Sequence, residues 1–109
     1  MRESLKVLEE CAEVQKAKSH DYQNVKSSVR QIDYYPNGLM SIWEEINKKN
    51  LRMKSLLQSG EAPKNEALED SAKDMINYCS FFVEYLRGKM DGQEEKAEKR
   101  YEQLELLLG

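Results

Sequence analysis

The chain has 109 residues, 34% charged and 39% apolar, with a net charge of −3. That length points to one domain with a modest core, and the acidic balance excludes a general basic footprint for long nucleic acid or an anionic membrane. No stretch approaches the ~20 apolar residues of a membrane span and the N-terminus lacks a signal-peptide apolar core, so a cytoplasmic protein without a membrane partner is expected.

The first helix is expected over about residues 3–19, where Val7, Cys11, Val14 and Lys18 recur at helical spacing and Leu5, Leu8 and Ala12 widen the stripe. Residues 20–38 lose that period and end in Pro36-Asn37-Gly38, a turn signal. A connection this long in so small a domain is usually functional or partly helical. The second helix is expected over about 39–59, with Leu39, Ile42, Trp43, Ile46, Met53, Leu56 and Leu57 as its stripe. Where the period asks for apolar residues stand Lys49 and Asn50, and Arg52 follows.

Gly60 and Pro63 separate this helix from a third, over about 64–88. Its seam is Leu68, Ala72, Met75, Cys79, Phe82 and Leu86, and Ile76, Tyr78, Phe81, Val83 and Tyr85 carry the apolar arc past half the circumference. Such a helix is central in a bundle or covered by a second subunit. Asp91 and Glu94 form a D-x-x-E capping pattern for a fourth helix to about residue 108, with a thin stripe of Ala97, Tyr101, Leu104 and Leu108. Met40, Met53, Met75 and Met90 read as core filling, and Cys11 and Cys79 as free buried thiols. One His and two scattered Cys make no zinc pattern. The expected fold is all-α: a helical bundle of three long helices (1–88) plus a C-terminal helical arm (89–109), assembled as a homo-oligomer.

Asp70, Asp74 and Asn77 fall at i, i+4 and i+7 and share one helical face. Carboxylates four apart repel by a few tenths of a kcal/mol, roughly, and Asp is a poor helix former away from a cap. A hard cation or a facing basic cluster would offset that cost. Mg²⁺ takes a few carboxylates and completes its shell with waters and phosphates. Asp70, Asp74 and the Asn77 amide are suitable donors, with Glu44 or Glu45, or Glu10 and Glu13, as further ones. The alternative is an ion pair of Asp70 or Asp74 with Lys49 or Arg52 across an antiparallel helix pair. Lys18 ends the first helix's stripe and would project toward the same cleft. Tyr22, Tyr34 and Tyr35 suit stacking on a base, and Lys26 and Arg30 suit phosphates; a polar loop with half-buried tyrosines is the alternative. Lys48 and Arg52, at i and i+4, make either a phosphate clamp or a solvated basic face.

These residues carry a resemblance. Lys18-x-His20-Asp21-Tyr22, Ser41-Ile42, Lys49-x-x-Arg52-Met53-Lys54 and Asp70-x-x-x-Asp74-Met75-Ile76-Asn77-Tyr78 resemble, over about residues 18–86, the phage-associated nucleotide modification associated domain 1 family. That family is similar to the all-α nucleotide pyrophosphohydrolases, the MazG and dimeric dUTPase group. The resemblance implies an oligomeric helical fold with a nucleotide cleft and Mg²⁺ on carboxylates, in a host cytoplasm if phage-encoded. Together with the spacing above, it leads to the expectation that Asp70, Asp74 and Glu45 face the metal, with Asp74 and Asp70 the candidates for any catalysis. Lys18, Lys49 and Arg52 fall to phosphates, Tyr22 or Tyr35 to the base, and Asn77 to the ligand. The pyrophosphohydrolases pair an E-x-x-E with an E-x-x-D. Asp74 matches the last position, but Ser71 stands where the second motif's Glu belongs, and Lys48 three places after Glu45. A Mg²⁺-dependent pyrophosphohydrolase, a non-catalytic binder sequestering a host defence nucleotide, and a structural helical adaptor all stay open.

Overall fold

The periodic segments form helices: α1 spans Glu3–Tyr22, α2 Leu39–Gln58 and α3 Asn65–Leu86, with a 3-10 turn at Gln31–Tyr34. The structure, a computed structural model, describes residues 2–22, 26–60 and 65–94, with backbone only at 20–22 and 65. No strand occurs among the described residues. α1 runs one turn further than the apolar stripe implies. Ser19 supports that turn by donating its hydroxyl to Gln15 O at 2.9 Å.

Gly38 sets where α2 begins. Its φ of 62° suits glycine, and a Cβ there would lie 2.6 Å from Tyr85 Oη. Tyr85 near the end of α3 thus packs on the start of α2, while Lys49 and Asp74 meet further along, so the two helices are antiparallel. α1 instead runs parallel to α3: Glu10 meets Lys73, Cys11 meets Asn77, and Gln15 meets Asn77 and Ser80. α3 is therefore the central helix, α2 on one flank and α1 on another.

The core is Ile42, Ile32, Tyr35 and Met90, with Ile46, Tyr78, Phe81, Phe82 and Tyr85 packed half-buried around it. It sits toward the start of α2 and the end of α3, and it runs past residue 88. The chain turns back after α3 and inserts Met90, while Asp91 O accepts the Ile32 N–H at 3.1 Å. The Asp91 carboxylate pairs with Arg30 at 3.3 Å, and beyond residue 94 the helix it was expected to cap lies outside the described residues. The Gln93 side-chain oxygen accepts the Met90 N–H at 3.1 Å. The C-terminal arm expected beyond this point lies outside the described residues, as does its stripe.

Several expected core residues face water instead. Met40, Trp43 and Leu57 on α2, and Cys79, Val83 and Leu86 on α3, are exposed. The cause is topological: α1 runs parallel to α3 and off to one side, and among the described residues no third helix covers the outer arc of α2 or the far edge of α3. Cys11 is the buried thiol, its Sγ 3.9 Å from Lys73 O, and burial pushes its pKa up.

Candidate functional site

Two clefts flank the α2–α3 pair. The larger, of about 660 Å³, lies between α1, the 3-10 turn and the α2–α3 pair. The smaller, of about 370 Å³, is walled by Lys49 and Arg52 of α2 and by Asp70, Ser71 and Asp74 of α3. Lys49 and Asp74 line both. Their ion pair, Nζ to Oδ2 at 3.0 Å, is the partition between the clefts. The apolar gap at Lys49 in the α2 pattern thus has its cause: the ammonium answers a carboxylate on the facing helix.

That pair divides the Asp70, Asp74 and Asn77 ladder. Asp70 faces only the smaller cleft, Asp74 both, and Asn77 only the larger. Asn77 is buried, and its amide is engaged: Nδ2 donates to Cys11 O at 3.2 Å, and Oδ1 accepts Gln15 Nε2 at 2.7 Å. Gln15 also donates to Ser80 Oγ at 2.9 Å. Asn77 is a clasp fastening α1 to α3. Reading it as a ligand donor missed this, because nothing in the local sequence marks Gln15 as its partner.

The other expected donors are dispersed. Glu45 lines the larger cleft but holds Lys48 at 3.0 Å, and that bond raises the Lys48 pKa. Lys48 is thereby turned to Glu45 rather than to a clamp with Arg52. Glu10 holds Lys73 at 2.8 Å, the main cause of the raised Lys73 pKa, and Glu13 holds Lys16 at 3.1 Å. No group of three or more His, Cys, Asp or Glu able to hold a metal ion occurs among the described residues. The donors expected for Mg²⁺ do not converge, so no hydrolytic step is built on them.

The larger cleft does gather Lys18, Tyr35, Lys49 and Asp74, with Tyr34, Tyr78 and Phe81. Tyr78 and Phe81 meet edge to face, ring centres 5.9 Å apart, a geometry that fixes both rings. Asp74, Tyr78, Phe81 and Glu84 succeed one another on α3, a run of about 15 Å at 1.5 Å per residue. Lys18 has no ion-pair partner among the described residues. The Tyr22 side chain lies outside the described residues. Glu84 went unnoticed in the sequence. It lines the cleft, its Oε1 is buried with no hydrogen bond, and burial pushes its pKa up against a hydrogen bond from Gln31.

No protein-family model, no curated protein and no solved structure matches this chain.

Proposed function

We propose that the larger cleft binds a nucleotide and holds it without cleaving it. The observation that carries this reading is the gathering in one cleft of aromatic surface, Tyr78 and Phe81 with Tyr34 and Tyr35, and of the ammonium groups of Lys18 and Lys49. Base faces suit the rings, and phosphate suits the ammonium. Lys49 adds a second cation when phosphate replaces Asp74 as its partner. Mg²⁺, in this reading, arrives on the ligand's phosphates with Asp74 as its one protein carboxylate. The binder is favoured over the pyrophosphohydrolase because Glu45, Glu10 and Glu13 are each held by a lysine, which leaves too few carboxylates to activate water between two metals. A cytoplasmic nucleotide pool, in a host cell if the protein is phage-encoded, is where such a binder acts.

The test is a panel of nucleoside mono-, di- and triphosphates with and without Mg²⁺, read by thermal shift, calorimetry and pyrophosphate release. Stoichiometric retention with no release supports the binder. Turnover lost in Asp74→Asn establishes the enzyme. No shift in melting temperature across the panel refutes both and leaves the helical adaptor. Self-association belongs to the same proposal, supported by the large apolar side chains that the fold leaves in water.

A further inference from the structure

Four of the exposed large apolar side chains belong to α2. Met40, Trp43, Leu51 and Leu57 of α2 are 59%, 50%, 54% and 67% exposed. On the helical wheel Met40, Trp43, Asn47, Leu51 and Lys54 form one arc, turned away from the arc of Ile42, Ile46 and Met53 that meets α3.

We infer that this outer face of α2 is the seat of a second copy of the chain, packed antiparallel about a two-fold axis through Asn47. The inference rests on the self-association reading and names its surface. Two arguments select a second copy as the occupant. Trp43, Asn47 and Leu51 lie on one i±4 ridge, the ridge that interdigitates in the commonest class of helix crossing. Asn47 at its centre is short enough to sit on the axis, and antiparallel pairing brings Trp43 to Leu51 and Met40 to Lys54 across it. The charges are also self-complementary: α2 is acidic in its first half, at Glu44 and Glu45, and basic in its second, at Lys48, Lys49, Arg52 and Lys54. Reversal by the two-fold sets Glu44 near Lys54 twice over, while the Lys54 stem covers Met40. Glu45, Lys49 and Arg52 point to the clefts, so both clefts stay open in the pair.

The experiment is sedimentation and light scattering of the full chain across a concentration series, with the emission of its single tryptophan recorded alongside. Twice the chain mass is expected, with Trp43 emission moving to the red as dilution releases monomer. Trp43→Lys and Leu51→Glu should each weaken association about 30-fold or more, as central anchors do, with helical circular dichroism unchanged because neither touches the core. Reversing both charges, Glu44→Lys with Lys54→Glu, should restore association that either single change weakens. A monomer at every concentration overturns the inference. So does an oligomer that survives Trp43→Lys and Leu51→Glu, or one that yields to Val83→Glu instead. None of these measurements involves a nucleotide, so a failed binding panel and a failed interface are separate results.

Discussion

Replacing Asn77 by Ala tests whether α1 is a detachable wall of the larger cleft. The substitution removes the 2.7 Å bond from Gln15 and the 3.2 Å bond to Cys11 O, both inside the α1–α3 seam. Each is worth about 1 kcal/mol net, so α1 docking should weaken by about 2 kcal/mol. Gln15 keeps Ser80 at 2.9 Å, which limits the loss to that figure. At 1.4 kcal/mol per decade, this is a factor of about 30 in the docking equilibrium. Native-state hydrogen exchange is the assay. Amides of α1 should exchange about 30-fold faster, while those at the α2–α3 contact around Ile42 and Phe82 keep their protection. A ligand that bridges α1 and α3 should also bind more weakly, because only the docked fraction is competent. Equal loss of protection on all three helices, or no change on α1, would refute the reasoning: the clasp would then be part of one cooperative unit, or carry no energy.

Other outcomes follow from single groups. Met90→Ala, at a position only 2% exposed, should cost about 2–5 kcal/mol in chemical denaturation, the range for emptying a buried methionine site. Lys49→Met should change stability by less than about 1 kcal/mol, because both partners of its pair are partly solvated; by calorimetry it should weaken nucleotide binding about tenfold, as loss of a charged hydrogen bond does. Gly38→Ala should lower the melting temperature, since a Cβ there meets Tyr85 Oη at 2.6 Å on a φ of 62°. Glu84→Gln should raise it at pH 7. Burial lifts the Glu84 pKa in the fold, with Asp91 adding to it and Gln31 opposing. The native state then holds its proton more tightly than the unfolded chain does. That stabilisation is complete below the unfolded pKa and lost as pH rises through the raised folded value. Melting curves of the two proteins should therefore converge near pH 4.

Helices are legible because their signals are local. The stripes through Ile42 and Met75 and the breaks at Gly38 and Gly60 give α2 and α3 within about two residues of where they lie, the usual ambiguity at helix ends. The Lys49–Asp74 pair was equally accessible as one of two readings of the same ladder: a cation interrupting one apolar stripe and a carboxylate bordering the next require each other if the helices are antiparallel. What the pattern hid depends on α1. Its direction decides that Asn77 meets Cys11 and Gln15 and that Glu10 meets Lys73. A helical stripe records how much surface is buried but not which way the neighbour runs. Met90 and Glu84 were obscured differently, since each depends on a contact between the 3-10 turn and the segment after α3.

That last contact has a consequence for the order of assembly. Arg30 and Ile32 are held by Asp91, 61 and 59 positions later in the chain. During synthesis the antiparallel α2–α3 hairpin can form as soon as α3 has emerged, while the 3-10 turn that floors the larger cleft still lacks its fastening. The site therefore closes late, when the residues around Met90 have left the ribosome, and a nascent chain halted at Gly88 would carry helices but no finished cleft.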